Sequence, residues 1–153
     1  MTERNGANWC FWKDTEAEKA GEGVERRVLA FCDELMCVEN TFEKGGIGAM
    51  HHHPHTQITY VASGRFRFTI GDEVKEVGPG DTLCKQNDIV HGCECLEAGV
   101  LVDFFTPMRK DFLKAVEFYR QVPEKTIPEN RLRLAKALYY SAISRTPPDQ
   151  EIL

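Results

Sequence analysis

Nowhere in the 153 residues does an apolar run approach the roughly 18–20 residues that a bilayer-spanning helix needs, so no membrane partner is expected. Basic residues are also in short supply. Nineteen Lys and Arg stand against 24 Asp and Glu, a net charge of −5, and this argues against a nucleic-acid partner, which would need a basic face. Residues 1–14 lack a charged segment followed by an apolar stretch, so no secretory signal is expected. In such a chain the cysteines Cys10, Cys32, Cys37, Cys84, Cys93 and Cys95 read as reduced thiols rather than a disulfide framework, and the expected setting is cytoplasmic. There is no internal repeat. Core material is ample for one domain: 42% of residues are hydrophobic, including nine Phe, four Tyr and two Trp.

Three regions follow one another. Residues 1–23 form a polar arm carrying Trp9, Phe11 and Trp12, read as packing aromatics. Residues 24–106 break into short β-prone runs at 24–31, 35–42, 56–62, 65–70, 73–77, 81–85, 90–96 and 99–106, divided by turn signals such as Ser63-Gly64 and Gly78-Pro79-Gly80. In Arg65–Ile70 the alternation is strict, with Phe66, Phe68 and Ile70 inward and Arg65 and Arg67 on a solvated face. Such strand spacing points to an antiparallel sandwich or barrel. Residues 107–153 change to helical periodicity at Arg109–Arg120 and Glu129–Ser144, with Pro123 and Pro128 bounding the linker. The apolar stripe over 108–144 exceeds what one small barrel needs, so a homodimer is expected.

Four of the five histidines, His51, His52, His53 and His55, fall within five residues. On a strand, positions i and i+2 share a face, so His51 and His53 can turn inward together while His52 points away. Pro54 suits a bend. Gln57 then opens a new strand and can offer an amide oxygen, and His91 is the one histidine left to complete the set. Imidazoles with one oxygen donor suit a divalent transition metal, Ni, Zn, Fe, Mn or Co. The competing reading is a histidine cluster that holds no ion. A different centre at His91, Cys93 and Cys95 is disfavoured. Alternate positions on a straight strand lie roughly 6–7 Å apart, whereas paired zinc cysteines usually flank a turn. Small thiols filling the barrel fit better there, and Met50 reads as core or pocket wall.

These residues resemble the cupin superfamily. Gly45, His51, His53, Gln57 and Gly64 match its first motif, and Pro79, Gly80, Asp81 and His91 its second. Gln57 stands where most cupins carry Glu, and Gln86 where a Pro is usual. The metal would then lack an anionic protein ligand and keep more of its charge, which favours Lewis-acid over redox work. The resemblance implies an all-β fold, a single cupin (double-stranded β-helix or jelly-roll) barrel over 24–106, with C-terminal α-helices beyond it. Residues 51–61 and 102–113 further resemble the pectin-degradation cupins of the KdgF family, over roughly residues 24–115.

That resemblance implies an enzyme that opens 4,5-unsaturated uronates from pectin or alginate to a linear 4-deoxy-5-keto uronate. It assigns His51, His53, Gln57 and His91 to the metal and gives Asp103 and Phe105 catalytic places. Independently, a carboxylate among Leu101, Val102, Phe104 and Phe105 is expensive unless paired, hydrated or functional. Asp103 is therefore read as the general acid/base, with a salt-bridged structural Asp as the alternative. Arg109 is expected to hold the carboxylate of the small anionic sugar substrate. A cupin metal dioxygenase, or a non-enzymatic small-molecule-binding cupin, is the alternative function.

Overall fold

The computed structural model describes residues 4–113. Eight strands follow a short 3-10 turn at Trp12–Asp14: β1 (Glu18–Gly21), β2 (Val24–Cys32), β3 (Leu35–Phe42), β4 (Ile47–His51), β5 (Thr56–Ile70), β6 (Glu73–Val77), β7 (Thr82–Lys85) and β8 (His91–Thr106). They form one antiparallel sheet in the order β1-β2-β3-β8-β5-β6, with β4 added on β8 and β7 on β5. The antiparallel all-β architecture expected from strand spacing, and the jelly-roll barrel that the cupin resemblance implies, are observed. Among the described residues no helix is long and apolar enough to cross a membrane.

Two strands escape the sequence reading. β1 lies inside the expected arm and pairs with β2, and β4 delivers His51. Conversely, the runs 56–62 and 65–70 are one strand, β5, and 90–96 and 99–106 are one strand, β8. The reason is local. Gly64 adopts a left-handed φ of +82°, and the β5–β8 register shifts around Ser63 and Arg65, so the chain kinks without reversing. At this kink the two backbones nearly touch: a Cβ on Gly64 would lie 2.5 Å from Glu97 O, and one on Gly99 2.1 Å from Ser63 O.

Two apolar clusters hold the sheet closed. One gathers Val24, Phe42, Val61, Phe66, Phe68, Cys95 and Leu101, the other Phe31, Met36, Val38, Phe105, Met108 and Phe112. The second draws in residues just past β8, where Lys110–Phe112 forms a single 3-10 turn. Arg109 before it and Leu113 after it are extended, so no α-helix begins at 109; the rest of the expected helical segments lies outside the described residues. Met50 is not core: it is 53% exposed, on the opposite parity from His51. Trp9 and Trp12 are exposed too, although the Trp12 ring stacks under the Arg27 guanidinium at 4.0 Å.

Candidate metal centre

Backbone pairing sets the histidines together. In the β4–β8 ladder His51 lies opposite His91, after an irregularity that follows Gly48. His53 sits two residues past the end of β4, before the bend at Pro54, and still shares the inward side. Ring centroids are 4.3 Å apart for His51–His91, 4.9 Å for His53–His91 and 5.5 Å for His51–His53. One ligating nitrogen from each lies within 4.8 Å of the others. His52 points away and meets Asp88 Oδ1 at 2.9 Å.

The hydrogen bonds fix which nitrogens converge. Each Nδ1 faces a backbone carbonyl: His51 that of Ala49 at 2.7 Å, His53 that of His55 at 3.0 Å, and His91 that of Ile89 at 2.8 Å. A carbonyl only accepts, so each Nδ1 carries the hydrogen and each neutral ring presents a lone pair at Nε2. Burial keeps the rings neutral, pushing His53 down to about 4 and His91 to about 3, and His51 in the same direction. His91 Nε2 is buried without a hydrogen-bond partner.

Gln57 sharpens the point. Its Nε2 donates to Asp103 Oδ1 at 2.8 Å, which turns Oε1 toward His53 Nε2 at 2.9 Å. Flipping the amide would set its oxygen against the carboxylate instead. Two lone pairs at that separation repel unless a cation lies beside them, so these residues fit a metal held by three imidazoles and an amide oxygen.

Asp103 sits next to this set. β8 turns Leu101, Asp103 and Phe105 inward, and the ladders place Thr59 opposite Asp103 on one side and Val38 on the other. The carboxylate is only 5% exposed and accepts from Gln57, from the Thr59 hydroxyl and, on Oδ2, from Asn40 Nδ2 at 2.7 Å. Among the described residues it forms no salt bridge. Phe105 packs its ring 5.7 Å from His53 and 5.5 Å from Phe112. Arg109 Nε and Nη2 are taken by Asp111 at 2.9 and 2.7 Å, and its guanidinium stacks 4.2 Å from the Phe112 centroid.

His51, His91, Gln57, Asp103, Phe105 and Arg109 line a cleft with about 630 Å³ of empty space, its open mouth included, walled by members of both apolar clusters. Four polar wall residues were not anticipated from sequence: Arg26, Asn40, Thr59 and Lys85. Arg26 is bound to Glu18 at 2.8 Å and stacks 3.8 Å over Phe112. Lys85 is 2% exposed and donates to Thr59 Oγ1 at 2.5 Å. Burial lowers its pKa, with Asp103 opposing. Their only signal in the sequence is strand parity with Val24, Val38, Val61 and Leu83. Cys93 also lines the cleft, its thiol pushed up to about 12 by burial, and Cys95 is core; among the described residues no cysteine joins a metal-holding group.

Comparison with known proteins gives matches of three kinds: a family, a curated protein and solved structures. Residues 38–105 match Cupin_2, the cupin domain family. The pectin degradation protein KdgF of Dickeya dadantii (strain 3937) is 41% identical over 102 residues, 65% of this chain and 93% of that protein. Among solved structures, an RmlC-like cupin from Shewanella frigidimarina NCIMB 400 is 35% identical with a TM-score of 0.69, covering 72% of this chain and 99% of that one. The structure of KdgF from Halomonas sp. is 28% identical with a TM-score of 0.66, over 70% and 99% of the two chains.

Proposed function

The chain belongs to the cupin family and is KdgF-like within it, and from that footing we propose that it opens the ring of 4,5-unsaturated uronates released from pectin or alginate, yielding linear 4-deoxy-5-keto uronate. The observation that carries this reading is the direct bond from Gln57 Nε2 to Asp103, which ties a proton-accepting carboxylate to the convergent imidazoles inside one cleft.

His51, His53, Gln57 and His91 would hold one divalent transition metal, which supplies Lewis acidity undiminished by an anionic protein ligand. Asp103 takes the proton of the anomeric hydroxyl. A carboxylate offers about four acceptor sites, and three are filled by Asn40, Gln57 and Thr59, so one remains for the substrate. The Nη1 edge of Arg109, opposite the edge that Asp111 occupies, serves the uronate carboxylate, and Phe105 forms the apolar wall beside His53. The proposed setting is the cytoplasm, in keeping with six free thiols. A homodimer is the proposed assembly, its contact including the outward Ile58, Tyr60 and Phe104, which are 38–46% exposed.

The test is to mix the protein with the unsaturated monouronate and follow loss of C4=C5 absorbance, with and without oxygen and with a chelator. Oxygen-independent consumption that the chelator abolishes is expected. No consumption overturns the reading.

A further inference from the structure

Ring opening removes a hydrogen from the hydroxyl on C1 and requires one to arrive on C4, across the pyranose ring. Asp103 is fixed at both oxygens: Oδ2 by Asn40 at 2.7 Å, Oδ1 by Gln57 at 2.8 Å and by the Thr59 hydroxyl. A carboxylate so held does not swing from one end of the substrate to the other. A second proton-bearing group is needed in the same cleft.

Lys85 stands in that position. Its Nζ donates to Thr59 Oγ1 at 2.5 Å, and the same hydroxyl donates to Asp103, so one oxygen joins the ammonium to the carboxylate. Thr59 is its only hydrogen-bond partner among the described residues, although an ammonium has three donors. At 2% exposed and in the cleft wall, with Nζ 5.1 Å from the Phe68 centroid, it occupies a place that an apolar side chain would fill without desolvating a charge. A cation kept there with two donors unassigned is a group awaiting a substrate.

We propose that Lys85 is the acid that delivers the proton to C4, held beside Asp103 by the Thr59 hydroxyl between them. The inference rests on the ring-opening reading. Asp103 removes the hydroxyl proton, and the freed O–H pair forms the C1=O bond. The C1–O5 bond breaks and its electron pair stays on O5, giving the enolate of C5. That pair then forms C5=O as C4 takes a proton from the Lys85 ammonium. Finally Asp103 releases the proton on Oδ2 to water in the open cleft and Lys85 Nζ takes one up from water, restoring both groups with no net change in composition beyond isomerisation.

The experiment runs the unchanged chain, Lys85→Met and Lys85→Gln in D2O on the unsaturated monouronate, reading turnover and, by proton NMR early in the reaction, the deuterium at C4. The unchanged chain should place one deuterium in one of the two C4 positions. Each variant should lose about 10²–10⁴-fold in kcat with KM changed less than about threefold, and in its residual product the one deuterium should be divided between the two positions, because solvent protonates the enol. Lys85→Gln keeps a donor to Thr59 and guards against a packing defect in Lys85→Met. A raised KM with kcat intact makes Lys85 a carboxylate anchor and overturns the inference, as does single-position labelling by both variants. If the unchanged chain consumes no uronate, the ring-opening reading falls and this inference with it.

Discussion

Replacing Asp103 by Asn separates a proton carrier from a charge in a buried network. Only one end atom of the amide accepts. With its oxygen in the place of Oδ1, the variant keeps the bonds from Gln57 and Thr59, and its NH2 meets the Asn40 NH2 that now donates to Oδ2 at 2.7 Å. Asn40 relieves that clash by turning its own amide over. The remaining loss is of charge. Hydrogen bonds to ionised groups contribute about 1.5–3 kcal/mol against about 0.5–1.5 for neutral ones, so three bonds weaken by about 3 kcal/mol together. For a domain of this size that is about 6–12 °C in Tm. Turnover should fall about 10²–10⁴-fold, or about 3–5 kcal/mol of barrier. Combining Asp103→Asn with Asn40→Asp returns a carboxylate to the network one hydrogen bond further from the substrate. It should recover most of the Tm and none of the turnover. Thermal circular dichroism and steady-state loss of C4=C5 absorbance, at matched metal content, read both. Turnover above about a third of the native value in the single variant would be far smaller than a general acid/base loss and would make Asp103 structural. Turnover recovered by the double variant would mean that charge, not position, matters.

Elemental analysis of protein purified without chelator is expected to find one divalent transition metal per chain. His53→Ala should lose it while keeping the β-sheet spectrum, since two apolar clusters hold the fold; metal-free native protein would refute the centre. Chelator-treated protein should lose stability as pH falls below about 6.5. His53 and His91 sit at about 4 and about 3 in the fold against an ordinary 6.5, so the unfolded chain takes up protons first and acid favours it; a urea midpoint that stays flat from about pH 7 to 4 contradicts this. Gly64→Ala should cost about 3 kcal/mol or more in urea unfolding, because the new Cβ meets Glu97 O at 2.5 Å and Gly99 Cα at 2.7 Å, both backbone atoms, at a φ of +82°; a loss under about 1 kcal/mol would show that the β5–β8 kink can relax.

Alternation made most of the strands legible, because inward Val, Leu and Phe recur at every second position wherever one face is buried. It failed where continuity, not polarity, was at issue. Ser63-Gly64 has the composition of a hairpin turn, and only the pairing of both flanks with the same partner strand shows that the chain runs on through a bulge. β1 and β4 are short and only partly buried, so neither carries an apolar run long enough to stand out.

At the site, the histidines and Asp103 were legible because each defies its surroundings: four imidazoles in five residues, and a carboxylate on an apolar strand. Lys85, Thr59 and Asn40 defy nothing locally. A lysine at the end of Thr82–Lys85 reads as one more solvated charge, since lysines are seldom fully buried. What makes it functional is register: β7 sets Lys85 against Gln57, and β8 sets Asp103 against Thr59. The same register is fixed by apolar side chains. A one-residue slip of β5 would expose Val61 and turn Ile58 and Tyr60 inward, and the same slip of β8 would expose Leu101 and Phe105 in favour of Phe104. Burying Val61, Leu101 and Phe105 contributes about 1.5–3 kcal/mol each. Those residues share parity with Gln57, Thr59 and Asp103, so the force that closes the core also carries the polar network into it. The desolvation cost of that network is offset on the strands where it is incurred.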